Sequence, residues 1–409
     1  MTMTMHEPAK VELIYFNAGG GHRAAALALQ AVLAQQPERW QVTLTDLTAV
    51  LDPQGLFRRL TGMQPEDLYN KRLASGFTLG LAQELKLLQG GIRFMHQGLL
   101  QRLRGHWLHG EPDLVVSLIP NFNRALCQSL GQALPGVPFV TVMTDMADHP
   151  PSFWMEPDQP QHIVCGTEHA AQQARTAGVA AERIHRASGM ILRPDFHASP
   201  VPVPDRAAER LRLGLPSEAP TGVVLFGGHG SRAMLRIAER LTDTPLILLC
   251  GRNAALAEAL RALPARAPRV VLGFTPDVAR WMALADFFVG KPGPGSLSEA
   301  VQMGLPVIVT RNAWTMPQER WNTEWVRQQG VGVVHRSFRS VRAAVAEVAL
   351  RLPELRERVA ATRNRAVFEL PSILQRVLEA SRGVSVPMQQ PAAPREGRTP
   401  ECAARRCPH

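Results

Sequence analysis

Three stretches of this 409-residue chain gather residue types that bind anions and polar hydroxyls: Asn17-Ala-Gly-Gly-Gly-His22, Gly227-Gly-His-Gly-Ser231 and Gly290-Lys-Pro-Gly-Pro-Gly-Ser-Leu-Ser-Glu299. Glycines let backbone amides approach an anion, and a following helix N-terminus adds about half a positive charge. A tight turn with no ligand has the same composition, so each turn alone says little. One in each half of the chain, facing a shared cleft, says more. In the third stretch the helix is expected to begin after Gly295, so that Ser296 caps it and Glu299, three residues on, completes a capping box. The chemical alternative is that the Glu299 carboxylate accepts hydrogen bonds from a ribose diol while free amides meet a pyrophosphate. The density of Gly and Pro favours the second.

Strands must deliver these residues. Residues 11–16 are a β-rich run ahead of the first glycine turn, and 23–33 form a helix. Strands at 114–119, 139–143 and 162–165, with helices at 123–134 and 168–177, continue an alternation that predicts a parallel sheet with crossover helices. Ser199-Pro-Val-Pro-Val-Pro204 marks a domain boundary. A second set follows, with strands at 222–226, 246–250, 270–272, 287–289 and 306–309. Helices are expected up to 241 and at 277–285, 296–303, 341–350 and 353–378. The fold class is therefore α/β, two doubly wound Rossmann-like domains facing a central cleft. They span 1–200 and 206–365, followed by a return helix over 366–382 and a disordered tail over 383–409. In such sheets ligands sit beyond the carboxyl ends of the strands, where both glycine turns fall.

Composition narrows the classes. A chain 45% apolar and 20% charged buries a sizeable core, no run approaches the ~18 apolar residues of a membrane span, and the first ten residues lack the apolar block of a signal peptide. A soluble or peripheral cytoplasmic protein is expected. The formal charge of +10 invites anionic partners, but only four of the 45 basic residues are lysines (Lys10, Lys71, Lys86 and Lys291), so an arginine-rich background accounts for part of the excess. No nucleic-acid motif is present, which speaks against a nucleic-acid partner. Five cysteines, odd in number and without metal-ligand spacing, read as reduced thiols. Over residues 56–109, apolar side chains interleave with Arg58, Arg59, Lys71, Arg72, Lys86, Arg93, Arg102 and Arg104 without a strand. Two or three amphipathic helices are expected there, read either as a solvated face or as a surface for anionic lipid headgroups.

Over roughly residues 10 to 380 the chain resembles the GT-B glycosyltransferases that include monogalactosyldiacylglycerol synthases, bacterial diacylglycerol glucosyltransferases and the N-acetylglucosaminyltransferase of lipid II synthesis. The resemblance is carried by Gly19-Gly-Gly-His22-Arg-Ala, Val142-Met-Thr-Asp145 with His149-Pro150, Gly189-Met-Ile-Leu-Arg193-Pro-Asp-Phe196, the Gly227–Ser231 turn, Gly290–Pro306 and Gln318-Glu319-Arg-Trp-Asn322-Thr-Glu. Asn70-Lys-Arg-Leu-Ala-Ser-Gly-Phe77 draws it toward the diacylglycerol branch.

The resemblance implies a UDP-sugar held mainly by the second domain. Glu299 would hold the ribose, Gly295 and Ser296 the phosphates, Gln318 and Glu319 the sugar hydroxyls, and the backbone at Phe274 the uracil. Gly228 and Ser231 join the donor side, Arg193 reaches the diphosphate, and Asn322 either contacts the donor or caps the next helix. On the acceptor side, with Gly20 and Gly21, Asp145 would take the proton of the attacking hydroxyl, with His22 positioning the acceptor or sharing the proton; His149 is a third candidate. Asp145 is expected to end a strand. With no Asp-X-Asp pattern, the implied reaction is direct, inverting transfer without metal or cofactor. Met316-Pro317 replaces the family's usual Pro-Gly, so glucose, galactose and N-acetylglucosamine are not separated by this loop, and UDP-glucose or UDP-galactose is the expected donor; His229 is also unusual. The expected function is hexosyl transfer to a membrane lipid, 1,2-diacylglycerol, by a peripheral protein on the anionic cytoplasmic face of the plasma membrane. A nucleotide-sugar epimerase, a transferase acting on a polyprenyl-linked acceptor and a silent lipid or nucleotide binder are the alternatives. The intact Glu299, Gln318, Glu319, Asp145 and His22 argue against the last.

Overall fold

A computed structural model describes residues 7–17, 20–55, 59, 81–198 and 203–383. Gly19, Arg58, Lys71, Arg72, the 70–77 motif, the proline-rich boundary at 199–202 and the tail from 384 onward lie outside the described residues.

Two six-stranded parallel sheets form the frame. The first contains β1 (Ala9–Tyr15), β2 (Trp40–Asp46), β3 (Leu114–Ser117), β4 (Phe139–Val142), β5 (His162–Cys165) and β6 (Ile184–Arg186), in the order β2-β1-β3-β4-β5-β6. The second contains β7 (Gly222–Leu225), β8 (Leu246–Leu249), β9 (Arg269–Leu272), β10 (Phe287–Gly290), β11 (Val307–Thr310) and β12 (Gly332–His335), in the order β12-β11-β10-β7-β8-β9. Strands β3, β4, β7, β8, β10 and β11 are buried at every position, as expected of strands covered by helices on both faces. The winding reverses between β1 and β3 in one sheet and between β7 and β10 in the other, so each sheet opens a crevice at those carboxyl ends.

The edge strands β2, β6 and β12 are absent from the sequence-based expectation. They are short or half exposed, with burial alternating along β2, and so lack the apolar run that marks the centre. The 353–378 run is two helices, Leu352–Ala361 and Ala366–Ser381, parted at the crossing between domains. There Asn364 Nδ2 donates to the Met190 carbonyl at 2.9 Å and its Oδ1 accepts from Ala366 N at 3.0 Å. Gly189 lies flush against it, since a Cβ there would sit 2.5 Å from Asn364 Cγ. Beyond the crossing, Leu370, Ile373, Leu374 and Val377 join Val11, Leu13, Val116, Leu29 and Leu33 in one core, so the last helix closes the first sheet. The described part of the 56–109 stretch includes the helices Leu81–Phe94 and His96–Gly110; the latter lies on the opposite face of that sheet with Leu103 and Trp107 in the core.

Met146, Met190, Leu192 and Phe196 share a core with Leu297 and Val326, so the halves meet through apolar packing. The second domain is also tied by Asp286, whose oxygens accept from Arg206 (2.9 Å), Arg210 (2.5 Å), Arg356 (2.6 Å) and the Thr221 amide (2.8 Å). Arg210 is 1% exposed, so it has no recourse to water if Asp286 is lost. Asp286→Ala is expected to lower the unfolding free energy by ~3–5 kcal/mol, measured by urea denaturation. A change below 1 kcal/mol would show that the arginines do not need it.

Candidate active site

At the first crevice Gly20 adopts φ 80° as the N-cap of the Gly21–Leu33 helix, without side-chain capping. A Cβ at Gly20 or Gly21 would meet nothing within 4 Å, so the turn is open on its cleft side. His22 therefore belongs to the first helical turn and does not cap it. Its Nδ1 donates to the Leu118 carbonyl at 2.9 Å and lies 3.1 Å from Thr144 Oγ1. That tautomer leaves Nε2 with its lone pair and with no bond among the described residues. Burial lowers the His22 pKa to about 4, against the raising effect of Leu118, so the ring is neutral near pH 7.

Asp145 stands three residues beyond the end of β4, not at the strand end as expected. It is 8% exposed, and its Oδ2 accepts from Trp154 Nε1 at 3.0 Å. Burial pushes its pKa up to about 7; the Trp154 bond opposes this, Glu319 adds to it, Lys291 opposes and Asp148 adds. Asp148 has a different job: Oδ1 accepts from the amides of Phe153 (3.0 Å) and Trp154 (2.7 Å), and Oδ2 from Ser152 (3.1 Å). It folds the loop that presents Trp154 to Asp145, and Trp154 also stands 6.0 Å from the His22 ring. The exposed His149 faces the other half of the molecule, where burial and the charges of Arg320 and Arg311 lower its pKa.

Across the cleft, the third glycine-rich stretch departs from expectation. Its helix runs Pro294–Gln302, with Gly293 as N-cap and no side-chain cap. Proline suits the first helical position because its φ is preset and it lacks an N–H. Ser296 is thus inside the first turn, the capping-box role of Glu299 falls, and the uncapped amides remain open to an anion. Gly295 has free space where a side chain would be. Glu299 is half-buried, and its carboxylate has no hydrogen bond among the described residues. Burial raises its pKa to about 7, with Arg193 opposing and Asp195 adding. Arg193 is anchored: Nη2 donates to the Pro276 carbonyl and pairs with Asp195 Oδ2, both at 3.0 Å, and its guanidinium lies over the Phe196 ring.

Gly227–Ser231 stands at the other side of the second crevice. Gly227 and Gly230 have φ of 71° and 60°, and Gly228 is open toward the cleft. Ser231 Oγ accepts from Ala233 N at 3.2 Å, and the His229 carbonyl is held by Asn253 Nδ2 at 3.3 Å. Phe274, after β9, is 63% exposed with the Arg252 guanidinium 5.1 Å over its ring, at the outer end of the set.

Gln318 and Glu319 occupy a short 3-10 turn, Pro317–Glu319, and both are buried. Glu319 Oε1 accepts from Lys291 Nζ at 2.6 Å. Asn322 is fully buried and does not cap a helix: Nδ2 donates to the Pro292 carbonyl at 2.8 Å, which ties the two loops together. The Gln318 Oε1 and Asn322 Oδ1 atoms are buried without a partner among the described residues. Buried acceptors are normally satisfied, so this wall lacks donors that a ligand rich in O–H groups supplies. Between Arg320 and Asn322, Trp321 stacks on His169 of the first domain, centroids 4.4 Å apart and planes 6° from parallel.

Sequence reasoning assigned no role to Lys291, Trp154, His169 or Trp321. Lys291 carries a legible signal, a lysine inside a glycine-rich turn of an arginine-dominated chain. The others carry none without the fold.

The chain is 26% identical over 371 residues to monogalactosyldiacylglycerol synthase 1, chloroplastic, of Arabidopsis thaliana, an alignment covering 83% of this chain and 64% of that protein. It is 27% identical over 372 residues to a probable monogalactosyldiacylglycerol synthase, chloroplastic, of Glycine max, covering 83% and 65%. The chain thus spans less than two thirds of the length of these curated relatives. No protein-family model matches it. Among solved structures, UDP-GlcNAc 2-epimerase from Neisseria meningitidis bound to UDP-GlcNAc superposes with a TM-score of 0.56 at 12% identity, covering 91% of this chain and all (100%) of that one. Acinetobacter baumannii MurG gives 0.55 at 15% identity, covering 90% and 100%. The family resemblance carried by the motifs holds, and the fold is GT-B.

A carboxyl whose folded pKa lies above its unfolded value stabilises the fold at low pH and loses that contribution as pH rises through the folded value. Asp145→Asn keeps the acceptor for Trp154 and removes the buried charge. It should raise the melting temperature at pH 8 and leave it unchanged at pH 4, by calorimetry. Equal melting at pH 8 would mean that Asp145 ionises there without cost.

Proposed function

We propose that this GT-B chain, a relative of the monogalactosyldiacylglycerol synthases, transfers a hexose from UDP-glucose or UDP-galactose to a membrane lipid acceptor, 1,2-diacylglycerol, with inversion. The observation that carries this reading is the opposition of two walls. On one, Asp145 has a proton affinity matched to general-base work and His22 offers a free Nε2. On the other, Gln318 and Asn322 present unmatched buried oxygens beside Glu319.

In this reading the acceptor hydroxyl gives its one proton to Asp145, and the lone pair on His22 Nε2 is the second acceptor that can share that proton. The hydroxyl oxygen attacks the anomeric carbon on the face opposite the diphosphate, and the bond to the diphosphate oxygen breaks. The departing charge falls on the uncapped amides at Gly295 and Ser296, on the open turn of Gly228 and Ser231, and on Arg193. Glu299 accepts from the ribose diol, the Phe274 backbone meets the uracil, and Gln318 and Glu319 hold the sugar. No metal or cofactor is called on.

No helix among the described residues is long and apolar enough to cross a membrane. Leu87, Leu88, Phe94 and Met95 are nevertheless exposed, Phe94 by 93%, and Arg93 stands among them. We read them, with Arg104, as the surface that lies on anionic lipid at the cytoplasmic face of the plasma membrane.

Incubating the protein with radiolabelled UDP-glucose or UDP-galactose and vesicles of diacylglycerol with anionic phospholipid should yield labelled monoglycosyl lipid. Label appearing only in a polyprenyl-linked acceptor, or only in an epimerised nucleotide sugar, would replace this reading. Asp145→Asn should bind donor normally by calorimetry and lose ~10²–10⁴-fold in turnover. Glu299→Ala should instead weaken donor binding by at least about tenfold, as expected for loss of a charged hydrogen bond; unchanged affinity would remove it from the ribose site.

A further inference from the structure

We propose that Lys291 is a positioning residue of the cleft, its ammonium holding Glu319 against the sugar and offsetting the acidic charge gathered around Asp145. The proposal rests on the hexosyl-transfer reading and deepens it.

Lys291 follows Gly290, the last residue of β10, and so emerges at the crevice where the second sheet reverses its winding. Its Nζ donates to Glu319 Oε1 at 2.6 Å, and the Glu319 side chain is 5% exposed, so the carboxylate has little access to water and depends on this one cation. The pair is also packed in place. A Cβ on Gly293 would stand 3.2 Å from Lys291 Cε and 3.3 Å from Glu319 Oε1, so the N-cap of the Pro294–Gln302 helix presses on both partners. An ammonium has three N–H donors, and the Lys291 side chain is 34% exposed, which leaves donors beyond the one given to Glu319 facing the cleft.

The groups that act on Asp145 are Trp154, Glu319, Lys291 and Asp148. Asp148 spends its oxygens on three backbone amides, and Trp154 is neutral. Lys291 is the one cation in that set. Without it, Asp145 faces Glu319 and Asp148 as three acids with no opposing charge, and a proton is held to higher pH.

The tests are calorimetric titration with UDP-hexose and with UDP, the pH dependence of kcat/KM, and melting at pH 5 and pH 8. Lys291→Met should weaken UDP-hexose binding about tenfold while UDP binding changes less than about threefold. It should also move the acidic limb of kcat/KM upward by about one pH unit. Lys291→Arg should keep the wild-type limb. The melting loss in Lys291→Met should be larger at pH 8 than at pH 5, and Glu319→Gln in that background should recover it. A wild-type limb, equal loss of UDP and UDP-hexose binding, or a melting loss independent of pH would each overturn the proposal. If wild-type protein binds no UDP-hexose, the transfer reading fails, and the melting comparison still decides whether Lys291 compensates these acids.

Discussion

Three carboxylates, two buried and one half-buried, set the terms for the cleft around them. Ionised groups are costly to bury unless charge or hydrogen bonds compensate. Glu319 has a full counter-charge in Lys291, Asp145 has one neutral N–H from Trp154, and Glu299 has no bond among the described residues. The surrounding loops are shaped by this unequal supply. Asp148 gives up its chemistry to three amides so that Trp154 points at Asp145, and Arg193 is held by Pro276 and Asp195 near Glu299 without touching it. The wall of Gln318, Asn322 and Glu319 thus presents oxygens to a polyhydroxylated ligand, while the amides at Gly295 and Ser296 face its anionic end.

The parallel sheets bring these groups together from far apart in the chain. Each sheet opens where its winding reverses, and the cleft residues lie on the loops and helices that follow the strands' carboxyl ends. Apolar contact through Met146, Met190, Leu192 and Phe196, the Asn364 crossing and the Trp321–His169 stack hold the edges face to face. Within the second domain the backbones themselves come close. Gly251 passes so near Gly228 that a Cβ would lie 2.2 Å from its carbonyl oxygen, which leaves room for no other residue at that crossing.

The centre of the fold was legible because central parallel strands are short apolar runs between glycine turns. Three of the four edges were not: β2 mixes buried and exposed positions, β6 is three residues long and β12 is half exposed, whereas β9 keeps a Val-Val-Leu run. In the cleft, residue types were legible and partnerships were not. Ser296 looked like a cap because it is the best capping residue near the helix start, yet Pro294 begins the helix two residues earlier. Lys291 and Glu319 are separated by 28 residues, and their pairing exists only once β10 and the 317–319 turn are side by side. Asn322, open between two roles in the sequence, proves to brace Pro292 while keeping an unsatisfied oxygen.

The helix Ala366–Ser381 has a bearing on how the chain is made. It supplies Leu370, Ile373, Leu374 and Val377 to a core whose other members lie on the first sheet and the Gly21–Leu33 helix. A ribosome delivers that sheet early and this helix some 180 residues after β6, whereas the second sheet is complete on emergence of β12. The usual order, in which the N-terminal unit matures first, is thereby inverted. Until the final helix arrives, the part of that face which Leu370, Ile373, Leu374 and Val377 cover lies open beside the Gly21–Leu33 helix, and open apolar surface of this kind favours association.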